Sequence, residues 1–292
     1  MENKPNLFVA LADENYIDQA KALFSCAYFN AGWQGDYLLL SHDIPENKLK
    51  WFKNKGILIY KCKPLVKEKI YGGLSPVMLD KFYLFKEYFK KWQNVIYMDE
   101  DIIIKAPLDG LLDEKGFSAV QDYGRQLKSI TFNAGFFAFN TNLINKRSFD
   151  ELNRLIDKYK DISTDGDQTI LNSFFCNNWS PLPLVYNLAP YTITHPIFFT
   201  DKKIKTIILH FIGNRKPWHR NDPFYAQWKD NLDKADKINL EKSVKSADIW
   251  NKNKIEKHSK YLKIKRALYT PVFYLDKLIG LAGVWMKNLS VF

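Results

Sequence analysis

Cysteine is scarce in this chain: Cys26, Cys62 and Cys176 are the three among 292 residues. Their number and wide spacing exclude a disulfide-stapled scaffold and a cysteine-based zinc site, and they point to a reducing compartment. Arginine is scarce too, supplying 6 of the 43 basic residues. Long hydrophobic runs are lacking: no stretch of about 18 uncharged apolar residues occurs, so no spanning helix is expected. The segment Met1–Ala12 carries Glu2, Pro5 and only a short apolar run, so it does not read as a secretory signal. No recognised nucleic-acid module accompanies the basic residues, and nucleic acid is not an expected partner.

What is present is globular in composition, with 46% hydrophobic and 26% charged residues. Aromatics reach 15% and include 16 Tyr and 8 Trp, a usage found in proteins that handle sugars or membrane interfaces. The formal charge of +11 is unevenly placed: residues 241–292 carry +7 and the first 240 only +4. Part of the lysine excess, beside abundant Asn, is attributable to genome composition. The asymmetry still predicts two parts, a body over 1–240 and a basic, aromatic-rich tail over 241–292.

Within the body, short apolar runs alternate with helical spacing. Leu7–Leu11, Tyr37–Leu40, Ile57–Tyr60, Val95–Met98, Gly135–Asn140 and Thr206–His210 read as strands. Asp18–Phe29, Lys48–Lys55, Ser148–Lys160, Asp167–Phe175 and Asp222–Ala235 read as helices. A further helix starts at Ser75-Pro76, with Ser as cap, and runs through Met78, Phe82, Phe85 and Phe89. This alternation predicts an open, mainly parallel sheet with helices on both faces, whose ligands bind beyond the carboxyl ends of the strands.

Four segments carry candidate chemistry. Tyr97-Met98-Asp99-Glu100-Asp101 leaves a strand end with two carboxylates at i and i+2, able to share one hard divalent cation; the plain alternative is an acidic turn. His210, Gly213 and Lys216 offer an imidazole, backbone N–H groups and an ammonium, suited to a metal-bound diphosphate; a lone His after an apolar strand is otherwise a core residue. Phe132-Asn133-Ala134-Gly135 gives a small step where a ligand can approach the backbone, or an ordinary turn. Asp165-Gly166-Asp167-Gln168 opens a helix, with Asp165 as the favoured N-cap and Gln168 offering an amide to a cleft.

Taken in order, these segments and Leu11-Ala12-Asp13-Glu14-Asn15-Tyr16 resemble the retaining glycosyltransferases of family 8, over roughly residues 5–220. The other matching segments are Asp167-Gln168-Thr169-Ile170-Leu171-Asn172 and His210 through Trp218. The resemblance implies a GT-A fold binding a UDP-sugar with Mn²⁺, or Mg²⁺ in its place. It implies Asp99, Asp101 and His210 as metal ligands, and Asp13 and Tyr16 at the uridine end beside Ala10, Leu11 and Ala12. Gly213 and Lys216 would grip the diphosphate, while Asn133, Ala134, Asp167 and Gln168 would face the sugar. Lys81 stands where the family often has a basic residue reaching the donor. Glu100 departs from the family, which usually has a small or apolar residue within this DxD motif; Phe82 and Tyr83 depart from the commoner pattern after the basic residue.

The expected reaction is hexosyl transfer with retention, from a UDP-sugar to a glycan, glycolipid or other hydroxyl acceptor. Lys216 and the metal would stabilise leaving-group charge, and Gln168 with Asp167 would orient the sugar for same-face attack. Acceptor choice is expected from the loops Lys61–Gly73 and Asp122–Thr131. The tail, with Lys257, Lys260, Lys263, Lys265 and Arg266 among Tyr, Trp and Leu, suits the plane of an anionic membrane surface; a helix packed on the body is the alternative. That combination predicts a cytoplasmic protein peripheral at the inner face of a membrane. Two rival functions remain open to the sequence: a sugar-nucleotide pyrophosphorylase, for which Leu7–Tyr16 lacks the Gly-rich basic loop, and a non-catalytic carbohydrate- or membrane-binding protein.

Overall fold

The computed structural model describes residues 5–67, 74–111, 116–122, 131–176, 178–190 and 206–240. The tail 241–292 lies outside the described residues, as do 68–73 and 123–130 of the expected acceptor loops.

Nine strands are described: β1 (Leu7–Ala12), β2 (Asp36–His42), β3 (Leu58–Cys62), β4 (Asn94–Met98), β5 (Ile102–Ile104), β6 (Phe117–Gln121), β7 (Phe132–Asn140), β8 (Ser180–Leu182) and β9 (Ile208–His210). Seven form one sheet in the order β3-β2-β1-β4-β7-β6-β8. The first four run parallel, with Val9 facing Leu38 on one side and Tyr97 on the other. β7 alone runs against its neighbours β4 and β6. The helices are α1 (Ile17–Ser25), α2 (Glu46–Asn54), α3 (Ser148–Tyr159), α4 (Asp167–Phe175) and α5 (Tyr225–Lys234). The expected mixed α/β architecture with a mainly parallel sheet is therefore present.

β1 shows why the sheet is central. All six of its side chains are buried, so its apolar run is continuous, as a strand covered on both faces requires. Phe8, Ala10 and Ala12 enter one core with Phe24 and Phe52 from α1 and α2. Leu7, Val9 and Leu11 enter the other, with Phe82, Phe85 and Phe175. In that second core the Phe85 ring stacks on Phe139 at 4.9 Å, and Phe117 on Phe175 at 3.8 Å. Each fully buried Phe contributes about 1.5–3 kcal/mol, so these rings fix the Lys81 segment against β7 and α4 against β6.

Three expectations need correction. The segment from Ser75 is not an α-helix: Pro76–Phe85 and Glu87–Lys91 are 3-10 turns separated by an extended Lys86. Ser75 does cap it, accepting from Val77 N–H at 3.4 Å. The cap of α4 is Gly166 rather than Asp165, at φ 51°, with no side-chain cap bond. The strand ending at His210 stands outside the main sheet and pairs antiparallel with β5, a strand the apolar pattern did not reveal.

Candidate active site

The short β5–β9 ladder builds the site. β4 ends at Met98, and Asp99-Glu100-Asp101 turns directly into β5. In the ladder Ile102 faces His210, and Phe211 N–H donates to the Asp101 carbonyl at 3.0 Å. Backbone pairing thus delivers a His more than a hundred positions away to the acidic turn. β7 closes the other side, where Asp99 N–H donates to the Gly135 carbonyl at 2.8 Å.

Among the described residues, Asp99, Asp101 and His210 offer ligand atoms all within 4.8 Å of one another. Gly135 sets the spacing. A Cβ there would stand 2.3 Å from His210 Cε1 and 2.7 Å from Asp99 Oδ2, so only glycine leaves both side chains in place. The sequence marked this step as one where a ligand approaches the backbone; the groups that approach are the two side chains themselves.

The hydrogen bonds assign the proton on His210. Gly135 N–H donates to Asn133 Oδ1 at 3.1 Å, which identifies that atom as the amide oxygen. Asn187 reaches the same oxygen at 3.0 Å and must present its NH₂ there. Its oxygen therefore faces His210 Nδ1, at 2.8 Å, and Nδ1 must donate. In the neutral ring Nε2 then carries a lone pair. It lies 3.1 Å from Asp101 Oδ1, a buried oxygen with no hydrogen-bond partner among the described residues. A lone pair facing that carboxylate oxygen is costly unless a proton or a metal cation lies between them. The other Asp101 oxygen already takes the Lys216 ammonium, which also donates to the Phe211 carbonyl at 2.8 Å. Oxygen, oxygen and imidazole nitrogen are a donor set that a divalent metal accepts, so these residues fit one.

Lys81 forms the opposite wall. It is buried, with Nζ 3.0 Å from Asp99 Oδ1, 2.6 Å from Asp167 Oδ2 and 3.2 Å from the Ala134 carbonyl. Burial works against its charge, but Asp167 and Asp99 outweigh it and hold the ammonium above the ordinary lysine pKa. Tyr97 donates its hydroxyl to Asp99 Oδ1 at 2.6 Å, leaving Oδ2 toward Gly135 and His210. Glu100 is half-buried, and burial followed by repulsion from Asp99 and Asp101 pushes it up to about 8.

Gln168, in the first turn of α4, accepts from Ala134 N–H at 3.2 Å and Asn133 Nδ2 at 3.1 Å. Its own NH₂ donates to Asp122 at 2.9 Å. Asn172, one turn on, clasps Phe132 by both backbone groups at 2.9 Å, which seats α4 on β7. Asn133, Ala134, Asp167, Gln168, Lys81 and Lys216 thus join the acidic turn and His210 in one polar network.

The remaining expected residues stand apart from it. Asp13 caps the short turn Glu14–Tyr16, accepting from Asn15 N–H at 2.8 Å. Tyr16 is partly exposed and meets Trp218 edge to face at 6.2 Å, and Trp218 lies 5.8 Å from the Lys216 ammonium. Ala10, Leu11 and Ala12 bury their side chains in the two cores, so only their backbone groups face the strand end. Gly213 makes the turn between His210 and Lys216 at φ 87°, a conformation glycine adopts without strain. The roles of Tyr97, Asp122, Asn172 and Asn187 were not read from the sequence: Tyr97 acts on Asp99 two positions on, whereas Asp122, Asn172 and Asn187 act through partners distant along the chain.

Comparison with known proteins gives the same answer. The model of "Glycosyl transferase family 8" matches residues 11–222. The chain belongs to this family. It is 27% identical over 197 residues to a probable glycosyl transferase, Gly, of Streptococcus gordonii, covering 62% of this chain and 28% of that one. It is 32% identical over 136 residues to human glycogenin-2, covering 44% and 25%. The chain thus spans about a quarter of the length of these curated relatives. An active-site glutamine-to-glutamate mutant of LgtC superposes with TM-score 0.65 at 20% identity, covering 78% of this chain and 95% of that one. The shared architecture is the GT-A glycosyltransferase fold.

Proposed function

We propose that this family 8 member is a metal-dependent, retaining hexosyltransferase that uses a UDP-sugar and a hydroxyl acceptor. The observation that carries the reading is the pairing of an Nδ1-protonated His210 with an unpartnered Asp101 oxygen beside Asp99. In this reading Asp99, Asp101 and His210 would hold Mn²⁺, with Mg²⁺ as the alternative, and the bound ion would supply positive charge to the diphosphate leaving group.

The chain's own groups divide the remaining work. Lys216 places an ammonium at the edge of the triad, where leaving-group charge develops. Gly213, exposed in the turn that precedes Lys216, would offer its backbone N–H to the same group. Lys81 fixes Asp99 and Asp167 at once, so the sugar-facing wall and the metal-facing wall share one buried cation. Gln168 is locked by three hydrogen bonds and presents a neutral amide wall to a developing oxocarbenium ion. Of the carboxylates on that wall, Asp167 is engaged by Lys81 and Asp122 by the Gln168 amide. A double displacement needs a free carboxylate nucleophile, whereas attack on the face of departure needs none. Same-face attack therefore fits the wall better, and the active-site glutamine named in the solved LgtC mutant supports Gln168 as the counterpart.

The solved complex of LgtC with donor and acceptor sugar analogues supports a nucleotide-sugar donor and a glycan acceptor here. Among the described residues no helix is long and apolar enough to cross a membrane. The charge and aromatics of 241–292 support peripheral contact with an anionic surface. Cosedimentation with anionic liposomes, lost on removal of residues 255–292, would bear that out. For the reaction, a panel of UDP-hexoses with an accepting glycan is the test: NMR of the product should show the donor's α-configuration. A β-linked product would overturn the retaining assignment.

A further inference from the structure

A cavity of about 650 Å³ opens beside the donor-facing elements without including the Asp99–Asp101–His210 triad. Its size falls within the ordinary range of ligand sites, roughly 300–1,000 Å³. α1 and α2 form two walls, and Trp51, Trp218 and Trp228 supply its aromatic surface. It adjoins the nucleotide end, since Glu14 and Asn15 follow Asp13 directly and Trp218 packs on Tyr16.

Two features show what it would accept. First, its walls carry three side-chain amides, Asn15, Gln19 and Asn47, and just beneath them the indole N–H of Trp228 and the amide oxygen of Gln19 have no hydrogen-bond partner among the described residues. One is a donor and the other an acceptor, and native structures rarely leave such atoms unpartnered. Second, its charges are already paired. Lys21 bonds Asp18 at 3.0 Å, and Lys48 bonds Glu14. Lys21 also lies 5.4 Å from the Trp51 ring centroid, at the edge of that wall, and Trp51 is held by its N–H to Asp236 at 2.6 Å. Among the described residues that line it, no uncompensated cation remains to select a phosphate.

A ligand that suits such walls is uncharged, has apolar faces to lie on indole rings, and has groups that both donate and accept. A hexose unit answers all three: its C–H face covers an aromatic ring, and its hydroxyls both donate to and accept from side-chain amides such as those of Asn15, Gln19 and Asn47. We propose that the cavity is a secondary carbohydrate-binding site that holds a neutral glycan chain away from the reacting centre. The inference rests on the glycosyltransferase reading only for its purpose; binding is measurable without turnover.

The test uses the full chain without UDP or metal, and maltotetraose, cellotetraose and β-1,4-galactotetraose as probes. Tryptophan fluorescence and saturation-transfer NMR should report binding of at least one of them. Trp51→Ala should weaken that binding by about tenfold, and the milder Gln19→Leu by about fivefold. Both should keep UDP affinity within about twofold of the parent, a change of less than half a decade. The proposal is overturned if none of the three probes binds, if both variants bind as the parent does, or if UDP affinity falls in parallel, which would give the cavity to the donor's base. Gln19→Leu carries the test if Trp51→Ala does not fold. UDP release from a UDP-sugar, measured separately, reports on the catalytic reading alone.

Discussion

Replacing Gly135 by alanine should disable the triad while leaving every polar group in the chain. Gly135 lies in an extended strand that any residue can adopt, so the cost is one of space alone. The added Cβ would meet His210 Cε1 at 2.3 Å, His210 Nε2 at 2.8 Å and Asp99 Oδ2 at 2.7 Å. Ordinary carbon–carbon contact begins near 3.5 Å, so the imidazole must retreat by about 1 Å. It cannot do so freely, because Nδ1 is tied to Asn187 at 2.8 Å. Asp99 is tied as well, by Tyr97 at 2.6 Å and Lys81 at 3.0 Å. Metal–ligand distances tolerate only about 0.2 Å of error, so such a shift removes ligands from the site. Calorimetric titration of Mn²⁺ should show affinity lower by at least ~10²-fold, given that even indirect partners of ligands cost 10–100-fold. Thermal unfolding without metal should fall only by the usual overpacking cost, about 1–3 kcal/mol. Wild-type Mn²⁺ affinity in a folded Gly135→Ala variant would refute the geometry from which the metal site is built.

Asn187→Ala removes the acceptor that fixes the His210 tautomer. Mn²⁺ affinity should drop about 10–100-fold; Asn187→Asp keeps an acceptor for the ring nitrogen but turns a carboxylate oxygen toward Asn133 Oδ1, so it should recover only part of the loss, and parent affinity in Asn187→Ala would break the tautomer argument. Asp80 is fully buried with Oδ2 2.7 Å from His42 Nδ1, and burial raises its carboxyl to about 6. A raised carboxyl pKa stabilises the fold below the ordinary value near 4 and loses that contribution as pH rises through about 6. Between pH 4 and 7.5, unfolding free energies should therefore shift in favour of Asp80→Asn by about 3 kcal/mol, two pH units at 1.36 kcal/mol each. Parallel pH curves for the two proteins would remove Asp80 as the source.

The elements with strong periodicity were legible in the sequence because one or two faces had to be buried. β1 has six buried side chains in a row, and α4 occurs over Asp167–Phe175 as its spacing predicts. The Asp99–Asp101–His210 triad was legible as a candidate site through family resemblance; its geometry was not. The β5–β9 ladder has three residues in each strand, too few for a period to show, and it pairs segments a hundred residues apart. The Lys81 segment has apolar residues at helical spacing, yet it forms 3-10 turns because Phe82 and Phe85 pack into a core already set by β7. Asn187 has neighbours of no chemical interest in sequence; only the pairing of Leu188 with Leu209 brings it to His210. Side chains that act through other side chains leave no local pattern.

The central claim is that Asp99, Asp101 and His210 hold a divalent ion that makes UDP a leaving group. It is tested most directly by UDP release from a UDP-hexose, measured after EDTA treatment and again during Mn²⁺ titration. In the parent protein, release should vanish with EDTA and return with Mn²⁺. In Asp101→Asn, with its fold checked by thermal unfolding, release at saturating UDP-hexose and parent-saturating Mn²⁺ should stay lower by at least ~10²-fold. Undiminished release in EDTA, or a folded Asp101→Asn that turns over as the parent does, would contradict the account.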